Sequence, residues 1–309
     1  IGLVVSQYVP FRALRAGHQL SDSKGASAAF AAETAVMAAQ RALHGFRGPQ
    51  DVFRNPLAIY RLNEPSNDGM SPFDLELGES GNLFAIHAMH FKLGLYEHQS
   101  AAAIQSLINI IEKTPAVGED IDDIQSITVT IYEPAFSIIA DPAKRTPNTR
   151  QSADHSLPFI LATVLQKASR MGLQDRKAFG WSQGMLLPED YSEAALADVT
   201  IRAIMKKIHI IHGGPEYDRL YPEGLPTCVS IVHKQLNRLD SKRILFPLGH
   251  ANSDQAKTNA FVEQKFERLV AGAVESPQSI RDHLSLKNTS PEHVASLYAF
   301  PLVLTGKDR

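Results

Sequence analysis

The sequence predicts a mainly helical chain carrying an inserted, smaller α+β unit: a discontinuous helical body of residues 1–90 and 248–309, and an α+β lid across 91–247. Three observations predict it. An Ala-rich run without proline spans residues 25–43. Apolar and polar residues alternate through 124–132, and further β-like segments follow at 228–236 and 243–248. Helical periodicity then returns past residue 250. A chain that reads helical, then mixed, then helical again is accommodated by a lid inserted into a helical body.

Each element has its own reason. The run GASAAFAAETAVMAAQRAL places Ala29, Ala32, Val36, Ala39 and Leu43 on one face. Small side chains there let helices approach closely, and Gly45 and Gly48-Pro49 stop the run. Residues 63–81 are rich in Pro, Gly, Ser, Asn and Asp, which suits a surface connection. Residues 101–113 have amphipathic helical spacing, 124–132 have the period of a half-buried strand, and 157–168 form a further helix. The β-like segments 228–236 and 243–248 are separated by 237–241, read as a turn. Residues 259–273 carry Phe261, Val262, Phe266, Leu269 and Val270 on one side of a helix, with Lys and Glu elsewhere. No internal repeat or low-complexity tract interrupts this order.

With 309 residues, 44% of them hydrophobic, and a mean hydropathy of −0.15, the chain can bury a sizeable core. Its 31 Lys and Arg nearly balance 33 Asp and Glu without a long basic run, which argues against nucleic acid as a partner. The apolar stretches are broken before the ~20 residues a membrane span needs, so a soluble protein is expected. A lone cysteine, Cys228, excludes a disulfide within the chain, a Cys-rich zinc site and a three-thiolate seat for an iron–sulfur cluster. A reducing compartment follows, cytoplasm or mitochondrial matrix. The chain opens on Ile1-Gly2-Leu3, inside an apolar segment with neither cap nor leader, so an upstream part is expected to be missing.

Four constellations have residue types suited to chemistry. In the first, Arg12 and Arg15 precede Lys24 at an expected helix start, where a cation beside backbone N–H groups can hold a carboxylate or phosphate. A solvated basic loop leading into a helix capped by Ser21 or Ser23 accounts for the same residues. In the second, Lys92 and His98 flank a short bend before a helix, pairing a fixed cation with an imidazole that ordinarily titrates near neutrality. A lysine at a hinge and a histidine near a helix start is the plainer reading. The third is Asp154-His155 before an apolar helix. Adjacent side chains on a regular element diverge, so the two are not read as a dyad; Asp154 is equally a cap, and His155 is the stronger candidate. The fourth is Phe246-Pro247-Leu248-Gly249-His250, a strand end, a turn and a histidine.

Other features carry less. Gly213-Gly214-Pro215 lacks the spacing and the following Lys-Ser/Thr of a phosphate loop. No Gly-x-Ser-x-Gly elbow is present, and Cys228 lies in a β-like stretch where burial would leave it inert. The histidines form no His-Glu-x-x-His pattern, and His209 with His212 among isoleucines reads as a packed or edge pair.

Taken together, the segments resemble the 2-methylcitrate dehydratase (MmgE/PrpD) family, which also includes cis-aconitate decarboxylase and iminodisuccinate epimerase. The resemblance rests on Arg12-x-x-Arg15 followed by Lys24 and an Ala-rich helix, Phe91-Lys92, Asp154-His155, and Phe246 to His250, in that order. It implies the two-part helical body, the inserted lid, a homodimer, and a site between body and lid that works without metal or redox cofactor. It further implies that Lys24, Lys92, His98 and His155 are catalytic and that Arg12, Arg15 and His250 bind substrate. Three departures accompany it. The family's leading helical stretch, which contributes an Asp and a His, is absent here. Phe136 stands where the decarboxylase has a tyrosine, which argues against decarboxylation. Leu95-Tyr96 replaces the family's usual Phe-Pro.

The implied chemistry is the removal of water from a tricarboxylate, 2-methylcitrate to 2-methyl-cis-aconitate, in propionate catabolism. Cations neutralise the substrate's carboxylates, and His155 or His98 moves protons. The competing readings are an isomerase or epimerase of the same family, a decarboxylase, and a truncated, non-catalytic relative.

Overall fold

The computed structural model describes residues 1–4, 19–52, 55, 88–133, 135–140, 142–285, 290–297 and 299–302. By its internal contacts the chain divides into two units, residues 1–88 and 89–309. Among the described residues no helix is long and apolar enough to cross a membrane.

In the first unit the Ala-rich run forms helix α1, Asp22–Leu43. It ends as its glycine dictates. Gly45, at φ 84°, donates its N–H to the Ala42 carbonyl, and Phe46 N–H reaches the Arg41 carbonyl, both at 3.0 Å, closing a Schellman turn. Ser21 occupies the N-cap position, but its side chain makes no capping bond. Among the described residues the expected small-residue face is exposed, Val36 at 59% and Leu43 at 86%, and Ala38 is the buried position of the helix. The loop expected at 63–81 lies outside the described residues.

The second unit is built on a four-stranded sheet. Its main elements in chain order are α2 (Ala101–Lys113), β1 (Ile124–Ile131), α3 (Arg150–Ala153), α4 (Leu157–Ser169), α5 (Val199–Lys206), β2 (Ile208–His212), β3 (Thr227–His233), β4 (Asn237–Asp240) and α6 (Gln255–Val270). The strands lie in the order β2-β1-β3-β4, with β1 parallel to β2 and antiparallel to β3. A parallel pair needs a long crossover, which the segment containing α3, α4 and α5 supplies. In β1, Ile127, Val129 and Ile131 are buried while the residues between them are half-exposed, the alternation of a half-buried strand. The pattern slips between Ile124 and Ile127, where the register with β3 shifts.

Helix α4 is buried almost all round, from Leu157 to Gln166, and serves as the central core helix. Ser156 starts it by accepting the Phe159 N–H, and Pro158 sits in the first turn, where its missing N–H costs nothing. Leu107 and Ile111 of α2, Phe159 and Leu161 of α4, and the buried side chains of β1 and β3 form one core.

Two local readings are corrected. The β3–β4 turn is made by residues 234–236, not 237–241. Asn237, at φ 59°, pairs with His233 and already begins the return strand; asparagine tolerates that left-handed conformation. Residues 243–248 form no strand of the sheet and touch it through the single bridge Thr227–Ile244. In α6 the expected face is half-buried, and Phe261 and Val262 pack against the core. Asp254 caps that helix through the Lys257 N–H at 3.1 Å.

Candidate active site

Three of the four constellations meet in the second unit. The segment 91–97 bends tightly and is held by main-chain hydrogen bonds. Phe91 N–H donates to the Gly249 carbonyl at 2.8 Å, Leu95 N–H to Leu186 at 2.9 Å, and Glu97 N–H to Asp154 at 2.7 Å. The Tyr96 hydroxyl accepts the Leu93 N–H at 2.9 Å, and the Tyr191 hydroxyl donates to the Leu95 carbonyl. Leu93 and Tyr96 are buried, so the bend is a packed structure. Gly249 is required beside it: φ is 94°, and a Cβ there would lie 2.3 Å from the Phe91 oxygen. Lys92 projects from the bend, exposed, while its carbonyl accepts from Nζ of Lys265 at 2.9 Å.

Asp154 and His155 form a pair, contrary to the expectation that neighbours diverge. They lie in the turn between α3 and α4 rather than on a regular element, and there the Asp154 carboxylate reaches Nδ1 of His155. The Gln151 carbonyl lies 3.0 Å from the same nitrogen. Two acceptors on Nδ1 fix the proton there, so proton exchange falls to Nε2. Asp154 does not cap α4; Ser156 does.

His98 belongs to a stack of imidazoles. Its ring lies 5.4 Å from that of His90, at 6°, and His90 lies 3.9 Å from His250, at 26°. Phe246 flanks His250 at 4.8 Å. Nδ1 of His90 accepts the Ala251 N–H at 2.9 Å, and Nδ1 of His250 accepts the Asn252 N–H at 3.0 Å. Each ring is therefore held as the neutral Nε2–H tautomer, because protonating Nδ1 would break a main-chain bond. His250 is 2% exposed.

Burial and mutual repulsion act in the same direction. Burial, then His90 and His98, bring His250 down to about 4; burial, then His90 and Lys92, do the same to His98. Burial lowers His90 as well. The imidazole expected to titrate near neutrality beside Lys92 is thus neutral there.

Glu97 completes the arrangement. It caps the turn His98–Ser100, its Oε2 accepting the Gln99 N–H at 2.8 Å. Burial raises its carboxyl above the ordinary range, opposed by His155, the Gln99 bond, Lys144 and Lys92. Tyr132 follows β1, fully buried, with a hydroxyl that has no hydrogen-bond partner among the described residues and a ring stacked on Tyr221 at 4.8 Å. Burial, then Glu97, then Tyr221, push its hydroxyl far above the usual range. Phe136 packs instead against His212, 5.8 Å between centroids.

Residues 96–287 match the family model of the MmgE/PrpD C-terminal domain, more than half of the chain. The chain belongs to the MmgE/PrpD family. Dehydratases and other lyases make up most of that family, so a PrpD-like enzyme is the broad assignment. No curated protein matches the chain.

In this MmgE/PrpD chain Lys92, His98, His155 and His250 lie on segments joined by hydrogen bonds or ring stacking. Lys24 stands in the first turn of α1, in the first unit, half-buried, its N–H on the Ser21 carbonyl at 3.0 Å. Arg12 and Arg15 lie outside the described residues. Sequence reasoning missed His90, Glu97 and Tyr132. Glu97 sits inside the Phe91–Ser100 segment, and its place as an acid directly before a helix start is a capping signal. Nothing local marks His90 or Tyr132, whose roles come from residues far along the chain. Among the described residues no three His, Cys, Asp or Glu side chains are grouped as metal ligands.

Proposed function

We propose that the protein is a 2-methylcitrate dehydratase-like hydro-lyase, removing water from a tricarboxylate to form 2-methyl-cis-aconitate in propionate catabolism, without metal or redox cofactor. The observation that carries this reading is the Asp154–His155 pair, hydrogen-bonded through Glu97 to the segment that bears Lys92. Dehydration removes a proton beside a carboxylate and expels hydroxide. Such a reaction needs a base with a fixed orientation and cations near the charge that develops.

In this reading Nε2 of His155 takes the proton, its imidazolium stabilised by Asp154 through Nδ1. Lys92 and Lys24, with Arg12 and Arg15, neutralise the carboxylates. His98, brought down to about 4, is a poor base near neutrality and serves with His250 as a neutral wall of the site. Residues 1–90 and 248–309 form the helical body, 91–247 form the lid, and the active assembly is a homodimer in a reducing compartment.

The test mixes the longest natural form of the protein with 2-methylcitrate and a chelator and follows the ultraviolet absorbance of the new conjugated double bond. A rise that survives chelation and disappears in Lys92→Ala and His155→Ala supports the reading. A flat trace with folded protein rejects this substrate and moves the weight to an epimerase or a non-catalytic relative.

A further inference from the structure

Glu97 has no task in the reaction as outlined, yet its position is tightly specified. Its main-chain N–H is bound to the Asp154 carbonyl at 2.7 Å, which seats the residue beside the Asp154–His155 pair. Oε2 is held by the Gln99 N–H at 2.8 Å, so the side chain cannot swing freely, while Oε1 makes no hydrogen bond among the described residues. The groups that act on this carboxyl come from four separate segments: Lys92 on its own bend, Tyr132 after β1, Lys144, and His155 before α4. Tyr132 is the second independent sign of a working site. Its hydroxyl is fully buried without a hydrogen-bond partner among the described residues, a costly arrangement, and Glu97, when ionised, raises it further after burial itself. Two lysines and a histidine would ordinarily keep a nearby carboxyl ionised, but desolvation outweighs them here. A carboxyl that burial shifts toward its protonated form, beside an imidazole whose orientation is fixed, makes an acid and a base with environments that differ.

We propose that Glu97 is the general acid of this site, protonating the departing hydroxide while Nε2 of His155 removes the proton from the neighbouring carbon. The proposal rests on the dehydratase reading. The step balances: the C–H bond breaks with its proton passing to His155, its electron pair forms the double bond, and the C–O bond breaks with its pair on oxygen. Glu97 supplies the proton that makes that oxygen water. The imidazolium then returns its proton to the Glu97 carboxylate, restoring both groups without any external reagent.

The deciding variant is Glu97→Gln in the full chain, because the glutamine carbonyl still accepts the Gln99 N–H and a purely structural cap survives. With 2-methylcitrate, kcat is expected to fall by ~10²–10⁴, the usual worth of one general acid, with KM within roughly threefold. Infrared difference spectroscopy on the substrate-free protein at pH 7 should show the carbonyl stretch of one protonated carboxyl in the wild type and not in Glu97→Gln. A kcat within roughly threefold of wild type overturns the proposal. So does a protonated-carboxyl band that is absent from the wild type or unchanged in the variant. The infrared arm needs no turnover, so inactivity of the wild type towards 2-methylcitrate counts against the dehydratase reading alone, and the band still decides whether Glu97 carries a proton.

Discussion

The N–H of Glu97 donates to the carbonyl of Asp154 at 2.7 Å, tying the bend after Phe91 to the turn before α4. Through it a capping glutamate and an orienting aspartate occupy one neighbourhood, although each belongs to a different segment. The Asp154 side chain faces Nδ1 of His155, so its replacement acts on the imidazole rather than on the helix start, which Ser156 caps. Asp154→Asn keeps the size of the side chain but removes the charge that stabilises an imidazolium and can present an N–H where an acceptor is needed. In the dehydratase reading kcat should fall by ~10²–10⁴, while circular dichroism and thermal midpoint stay near wild type. Retained activity in Asp154→Asn would mean that the pair is structural.

The histidine stack makes stability depend on acid. His98 and His250 have folded-state values of about 4 against an unfolded value near 6.5. Between those limits the unfolded chain binds more protons than the folded one, so stability rises with pH through the window. Starting at neutrality, loss begins as pH falls through about 6.5 and is complete below about 4. Because the rings repel one another when charged, the steps belong to the cluster and not to single residues. Urea midpoints measured from pH 7 to 4 should fall for wild type, and the fall should be smaller in His98→Gln. An equal slope in both proteins would show that other groups carry it.

Much of the second unit was legible because its elements are long, periodic and locally capped. Ala101–Lys113 emerges with the limits its spacing predicts, and the alternation of β1 matches its burial. What escaped was decided by geometry at a distance or by a single dihedral angle. Ile208–His212 is only five residues long, lies at the sheet edge, and mixes isoleucine with histidine, so its period cannot announce a strand. Asn237 looks like a turn residue and is one in conformation, yet it already pairs in the ladder. Neighbouring side chains diverge on a regular element, whereas at Asp154 and His155 the chain turns. His90 meets His250, 160 positions further along the chain, a contact that no local pattern encodes.

Gly249 offers a test of how strictly the bend is built. Its φ of 94° is one that L side chains rarely adopt, and a Cβ would meet the Phe91 oxygen at 2.3 Å, the atom pair that neighbours the Phe91–Gly249 hydrogen bond. Gly249→Ala should therefore cost at least ~1–3 kcal/mol, combining left-handed strain with a main-chain clash. It should also move His250, the next residue, out of contact with His90. Urea denaturation measures the first effect, and the acid-stability profile the second, since separated rings titrate closer to their ordinary value. A variant as stable as wild type would mean that the two segments can part without loss.

Tyr132 separates stability from function most directly. Its hydroxyl is buried without a partner among the described residues, so the folded state bears the desolvation of that group with no hydrogen bond from them to offset it. Tyr132→Phe removes the hydroxyl and keeps the ring that stacks on Tyr221 at 4.8 Å. The folded protein should be unchanged or more stable, by up to ~1–3 kcal/mol, the range of the penalty relieved. If the hydroxyl supports the Glu97 carboxyl in the reaction, the same variant should lose turnover while gaining stability. Opposite signs in urea midpoint and kcat are the expected result, because residues kept for chemistry are retained at a cost in stability. A loss of both would mean that Tyr132 is hydrogen-bonded in solution, through a bound water for example, and holds the fold itself.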